Sequence, residues 1–421
     1  MSNENAVLAR NVEGAPVSKI YSQTVAFSHY NNLSGQLPIN PATGKIVEGG
    51  AAAQATQCLK NIKTIVEGIN QDLNDVVRLS IFTKDIMDLE AIENAIAPFF
   101  PTHQPTKTVA AVAELPAGAL VEIEALITNG VGTIPGAPQA GDLLKYTNNT
   151  HAAPYSATST QSVAFSHYNN ITAQLPINPE TNQLVPGCLK FQTIQVLKNI
   201  KAVLSAMDVP MDDIVKTTIF MKDISKIGDV DVIYSTFFPD SGIARAVGYM
   251  PARTVVQVKD LPMHADIQIE ATVSHGDGTP PQAVEDRHNI IIEANNTSAA
   301  PVSKMSTQSV AFSHYNHISA QLPIDAATGQ LVAGGISDQA LQCFTNIKTI
   351  IESVGHSMDD IVKVNVYLKD IKDIDAMNEV FAKCFPGAPA RKTIGVGTLP
   401  MGALIQVDAV AGNAEGTPPV V

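Results

Sequence analysis

Between Ala51 and Ile69 the apolar residues Ala55, Leu59, Ile62, Ile65 and Val66 recur at steps of three and four, with Lys60, Lys63 and Glu67 between them. That spacing puts the five on one face of a helix, which is therefore expected to be buried. The period then changes. From Asp75 to Thr83 the chain runs through Val76, Val77, Leu79 and Ile81, β-branched at its start and partly alternating, as a strand does. A second helix is expected from Leu89 to Phe100, ended by Pro101. Lys107 to Val112 and the strictly alternating Leu120 to Leu126 flank the turn residues Leu115-Pro116-Ala117-Gly118, which reads as a closing hairpin. Upstream, Thr24 to Phe27 and Tyr30 to Leu33 flank the polar pair Ser28-His29 as an opening hairpin, and Pro38 to Gly44 turns the chain into Lys45-Ile46-Val47. The order is β-β-α-β-α-β-β, an α+β arrangement with the helices on one face of a sheet.

The whole pattern occurs three times. Phe27-Ser28-His29-Tyr30-Asn31 returns as Phe165-Ser166-His167-Tyr168-Asn169 and as Phe312-Ser313-His314-Tyr315-Asn316, and Gln-Leu-Pro-Ile follows at Gln36, Gln174 and Gln321. The copies lie 138 and 147 residues apart, the size of a small domain rather than of a solenoid repeat. Each ends in a Gly-Thr-rich tail, beginning at Gly132, Gly278 and Gly416, so domains are expected at 1–137, 138–284 and 285–421. Copy two also inserts Asp240 to Val247 before its Pro251-Ala252-Arg253 segment.

Charge and composition narrow the partners. A formal charge of -13 repels a phosphate backbone, no Lys/Arg cluster overrides it, and without Trp there is little material for a base-stacking platform, so nucleic acid is not an expected partner. No run approaches a membrane span, and Met1 to Asn5 does not open a leader, so a soluble, cytoplasmic protein is expected. Cys58 and Cys343 share one position on the apolar stripe of the first helix, whereas Cys188 and Cys384 have no cysteine counterparts; neither a disulfide framework nor a metal-ligand spacing results. The three turn histidines, His29, His167 and His314, invite a metal reading. They sit at hairpin turns expected to face solvent, so a turn or packing role is assigned and no metal is expected.

Ser34-Gly35-Gln36-Leu37-Pro38, the helical Gln57-Cys58-Leu59-Lys60-Asn61-Ile62, Pro251-Ala252-Arg253, and Leu115-Pro116 leading to Val121-Glu122-Ile123-Glu124-Ala125 together resemble the Rid/YjgF family of reactive-intermediate deaminases, also called L-PSP endoribonuclease-like. The resemblance covers nearly all of each copy. It implies small α+β domains of chorismate-mutase-like fold that assemble as homotrimers around a central β-barrel, with clefts between subunits. This chain then resembles such a trimer fused into one polypeptide, acting as a monomer on small carboxylate metabolites. The implied chemistry is hydrolysis of the C=N bond of 2-iminoacids to 2-ketoacids and ammonia, with no metal or organic cofactor. Some members are also described as ribonucleases or translation inhibitors, which the acidity of this chain disfavours.

In that chemistry an Arg clamps the carboxylate, a Glu positions or deprotonates water, and a Tyr and the Ser-Gly backbone line the pocket. Carried over by position, the Arg site holds Lys107, Arg253 and Arg391, and the Glu site holds Glu122, Gln268 and Gln406. The Tyr site holds Tyr21, Ser159 and Ser306; the Ser-Gly site holds Ser34-Gly35, Thr172-Ala173 and Ser319-Ala320. An Asn of the second helix matches Glu93, Asp231 and Asn378. No single copy has the full set. Lys lacks the planar fork of Arg, and Gln cannot accept a proton near neutral pH. Because the Arg and Glu sites lie on one expected hairpin, each copy is expected to build its own cleft, Lys107 with Glu122 in copy one and Arg with Gln in the others. Deamination is then expected at the Lys107/Glu122 cleft, or by water positioning alone. The rival reading is a scaffold or metabolite binder that has lost catalysis. Without the resemblance, Lys107 and Glu122 read as a cross-strand ion pair on a solvated edge, worth no more than about 1 kcal/mol.

Overall fold

A computed structural model describes residues 7–129, 145–238, 249–274 and 292–413. The expected cuts at 137/138 and 284/285, the Gly-Thr tails and the Asp240 to Val247 insertion lie outside the described residues.

In copy one, strands β1 (Leu8–Arg10), β2 (Thr24–Phe27), β3 (Tyr30–Leu33), β4 (Ile39–Asn40) and β5 (Lys45–Ile46) precede helix α1 (Gly50–Gly68). Strand β6 (Val76–Thr83), helix α2 (Leu89–Ile96), β7 (Thr106–Ala111) and β8 (Val121–Thr128) complete it. The apolar stripe of α1 is the buried face: Ala55, Cys58, Leu59, Ile62, Ile65 and Val66 have no solvent exposure and pack on β6 and β8 through Ile81, Ile123 and Ile127. Helix α2 is shorter than expected, since residues 97–99 tighten into a 3-10 turn with Pro98 at its start. Copies two and three repeat this α+β unit.

The sheet departs from the closing-hairpin expectation in one respect that decides where the site lies. Its strand order is β1-β2-β3-β8-β6-β7, and the same order recurs in copies two and three. Strand β7 is parallel to β6, with Leu79 opposite Lys107, while β8 runs antiparallel along the other side of β6, with Phe82 opposite Glu122. The cause is the helix between β6 and β7, which makes a crossover unit and delivers β7 to the free edge of β6. Lys107 and Glu122 are thus separated by a strand instead of facing each other.

As an edge strand, β7 needs a partner for its outer backbone groups. The next copy supplies it. Ala173 N donates to Lys107 O (3.0 Å) and Lys107 N to Thr172 Oγ1 (3.0 Å), joining copy one to copy two. Arg253 N donates to Ser319 Oγ (2.8 Å), joining copy two to copy three. Gly35 N donates to Arg391 O (3.0 Å) and Arg391 N to Ser34 Oγ (2.8 Å), joining copy three back to copy one. Three seams close a ring, and the chain is an intramolecular pseudo-trimer whose sheets wall a common centre.

Each seam also buries a charge pair. Glu124 meets Lys363 at 3.2 Å and Lys392 at 3.6 Å; Glu270 meets Arg78 at 3.3 Å; Asp408 meets Lys216 at 3.9 Å. Breaking one side of such a pair leaves an uncompensated buried charge, so these contacts enforce the pairing of copies more than they add net stability. On the axis, an apolar layer with Phe82, Phe220 and Tyr367 lies at one end and an aromatic layer with Phe27, Tyr30, Phe165, Tyr168, Phe312 and Tyr315 at the other. Between them is a cavity of about 90 Å³ lined by paired groups, among them Arg78, Glu270, Lys216 and Asp408.

The turn histidines correct a second expectation. His29, His167 and His314 are half-buried and meet on the axis, with ring centroids 5.4–5.9 Å apart. They reach it because the two-residue turn that carries each projects inward from its sheet. Among the described residues, no helix is long and apolar enough to cross a membrane.

Candidate active site

The seam that joins copy three to copy one forms a small cleft of about 30 Å³ lined by Tyr21, Gly35, Glu122, Arg391 and Thr393, together with Leu37, Pro116 and Ile374. Arg391 comes from the edge strand of copy three; Tyr21, Gly35 and Glu122 come from copy one. The expected pairing of sites within one copy is therefore corrected. The strand that carries the Arg-site residue docks on the following copy, and its side chain enters that copy's cleft.

Arg391 is almost wholly buried, its guanidinium 4.4 Å from the ring centroid of Tyr21 and 4.7 Å from that of Phe381. The two rings orient the planar fork and shield it from water. Burial lowers its pKa to about 10, with Tyr21 and Glu122 opposing, so it stays charged at neutral pH. Burial raises the Tyr21 hydroxyl above its ordinary value, with Arg391 acting against the rise. Glu122 is buried in strand β8, and burial pushes its carboxyl up to about 8, against the pull of Lys392. A carboxyl held there exchanges its proton near neutral pH.

Buried polar atoms on this seam without a hydrogen-bond partner in the protein include Arg391 Nη1, Glu122 Oε2, Thr393 Oγ1 and Asn378 Oδ1. Unpaired buried polar groups are costly and call for a ligand or water. Gly35 is needed here for space. A Cβ at that position would overlap Glu122 Oε1 and lie 2.8 Å from its Cδ. The other copies carry Ala173 and Ala320, and in both the Glu site is Gln.

The hydroxyls of Ser34, Thr172 and Ser319 do not face a cleft. Ser34 Oγ donates to Ser22 O (2.6 Å) while accepting from Arg391 N, and Thr172 and Ser319 repeat both bonds at their seams. These residues fix the strand that bears the cation.

The other two clefts hold the remaining sites. Lys107 of copy one meets Thr172-Ala173 of copy two, beside Gln268, whose neighbour Ile269 bonds to Gln174. Its ammonium lies 4.0 Å from Glu93 Oε1, and Gln268 Oε1 is buried without a partner. Arg253 of copy two enters the cleft of copy three, where Gln406 Nε2 donates to Val255 O at 3.2 Å. Its Nη2 donates to Asp231 Oδ1 at 2.6 Å. Glu93, Asp231 and Asn378 occupy the same position, fifth in their helices. The cation is thus faced by an acid at two seams, whereas the third carries a neutral amide.

One residue here has no counterpart among those drawn from the family pattern. Lys392 bonds Glu124, lies over the rings of Phe82 and Tyr367, and is the strongest charge acting on Glu122. The other copies have Thr108 and Thr254 at this place, a difference readable in the sequence as a second cation directly after Arg391.

Comparison with known proteins agrees with this division into three. The model of the family described as Endoribonuclease L-PSP matches residues 13–129, 149–275 and 297–413. A RutC family protein of Pyrococcus horikoshii is 43% identical over 106 residues, 25% of this chain and 84% of that protein. A 2-iminobutanoate/2-iminopropanoate deaminase of Dermatophagoides farinae is 35% identical over 105 residues, 25% of this chain and 82% of that protein. The crystal structure of the yjgF gene product of E. coli is 33% identical, with 29% of this chain and 98% of that chain covered and a TM-score of 0.28.

Proposed function

The chain belongs to the Endoribonuclease L-PSP family, and from that premise we propose that it hydrolyses small 2-iminoacids to 2-ketoacids and ammonia, at one cleft of its three. The observation that carries the reading is the convergence, at the seam of copies three and one, of a charged Arg391 and a Glu122 near its titration point, each with an unpaired polar atom. Relatives named as 2-iminobutanoate/2-iminopropanoate deaminases support the substrate class.

Arg391 holds the substrate carboxylate with its fork, and the stacked Tyr21 and Phe381 rings keep that fork in plane. Glu122 gives its proton to the imine nitrogen and, as carboxylate, takes one from the attacking water, forming the C2 carbinolamine; it then protonates the amino nitrogen and takes the hydroxyl proton as the C–N bond breaks, releasing ammonia and the 2-ketoacid. For 2-iminopropanoate the products are pyruvate and ammonia, and no redox partner enters.

The scaffold reading describes the other two seams. There Glu93 and Asp231 neutralise the cation and a Gln replaces the base.

The test is pyruvate release from freshly generated 2-aminoacrylate, which tautomerises to the imine. The wild-type chain is expected to accelerate it, Arg391→Ala to lose at least about 100-fold, and Arg253→Ala to retain the wild-type rate. No acceleration over buffer by the folded wild-type protein would sink the proposal.

A further inference from the structure

The three histidines on the axis serve no part of the chemistry above, and they lie at the far side of the aromatic layer from the charged cavity. Each sits second in a two-residue turn whose ends pair across the hairpin, Phe27 with Tyr30, Phe165 with Tyr168 and Phe312 with Tyr315. The residue before each histidine, Ser28, Ser166 or Ser313, takes a positive φ of 47–52°, which sets the imidazole on the inner side of the turn.

The turns are clamped to one another. Tyr30 OH donates to Phe165 O at 2.6 Å, Tyr168 OH donates to Phe312 O, and Tyr315 OH donates to Phe27 O. Each tyrosine thus anchors the turn of the next copy, and the three imidazoles are presented by a rigid frame with near-threefold symmetry. One ring nitrogen of each lies within 4.8 Å of the other two. His29 Nδ1 is buried without a hydrogen-bond partner.

We propose that His29, His167 and His314 form a site for one divalent transition-metal ion of the zinc, cobalt or nickel class, with water in its open fourth position. Three imidazoles around a tetrahedral ion with bonds of about 2.0–2.1 Å stand about 3.4 Å apart, so each nitrogen moves by less than about 1 Å to close on the ion. Nitrogen donors without a carboxylate select this class over magnesium or calcium, which take oxygen ligands. With one ligand from each copy, the ion would tie the three domains together at the end of the axis, away from the cleft that joins copies three and one.

The test uses tag-free, chelator-stripped full-length chain, titrated with Co²⁺ and followed by visible absorption. One equivalent per chain with an intense tetrahedral band, displaced by Zn²⁺, is the expected result. His167→Gln, which keeps the layer filled, is expected to weaken Co²⁺ binding at least tenfold, and the variant His29→Gln/His167→Gln/His314→Gln to abolish it. The surface control His264→Ala is expected to bind like wild type. Thermal midpoints with and without Zn²⁺ add a readout on the wild type alone, since an ion bound only by the folded state raises the midpoint. Absence of stoichiometric binding by the wild type overturns the proposal, as does binding that the triple variant retains.

Discussion

Two clefts of this molecule share a fold, a seam geometry and a buried arginine, yet differ in what the arginine can meet. At the seam of copies two and three, Arg253 lies over the Tyr234 ring and donates to Asp231 at 2.6 Å, with Gln406 turned to a backbone carbonyl. At the seam of copies three and one, Arg391 lies between Tyr21 and Phe381, the position of Asp231 is Asn378, and the position of Gln406 is Glu122. In the first arrangement the fork is paired with an internal carboxylate, although Arg253 Nε stays without a partner; in the second, Arg391 Nη1, Glu122 Oε2 and Asn378 Oδ1 are all without one. An internal carboxylate competes with a substrate carboxylate for the same fork, so on the proposed reading one helix residue, amide or acid, separates a binding site from a structural contact.

The largest disturbance of this contrast comes from Gly35→Ala, which puts a methyl into the Glu122 carboxylate. A displacement of about 1 Å at a reacting group costs on the order of 100-fold, and kcat of the imine assay is expected to fall by that much while the chain stays folded. Wild-type kcat in that variant would show that Glu122 has no fixed place in the reaction.

Asn378→Asp makes the cleft proposed to be competent resemble its acid-paired neighbour. A new acid facing Arg391 is expected to raise KM about tenfold, equivalent to about 1.4 kcal/mol, with a smaller change in kcat. An unchanged KM would mean that the acid at Asp231 is not what silences Arg253.

The smallest effect is one of stability. Glu122 keeps its proton up to about pH 8 in the folded chain, against a reference value of 4.5. The folded state therefore binds more protons than the unfolded one between those limits, and wild-type stability falls as pH rises through that window. Glu122→Gln removes the titration. It is expected to be the more stable protein at pH 8, by on the order of 1–3 kcal/mol, with the gap closing toward pH 4 in urea melts. A gap of constant size across that range would place the Glu122 carboxyl in an unshifted environment.

Much of this was legible along the chain, because burial writes itself into local periodicity. The stripe from Ala55 to Val66 became the buried face of α1, and the repeated Phe-Ser-His-Tyr-Asn segments marked three copies. What could not be read was which strands touch. Alternation in β8 says that one face is buried but not that β6 lies between it and β7, since that follows from the crossover through α2. The meeting of Arg391 with Glu122, and of three turn histidines, depends on how separate domains close into a ring. Neither leaves a trace in spacing. The split of family residues among the copies was visible, and its resolution across the seams was not.

The ring has a consequence for the order of synthesis. The cleft with the complete set joins the first copy to the last, so Glu122 emerges from the ribosome long before Arg391 exists to face it. A chain cut short before Arg391 lacks the cation of the proposed site. Activity at that cleft would then report that synthesis had passed Arg391, a dependence that three identical separate subunits do not possess.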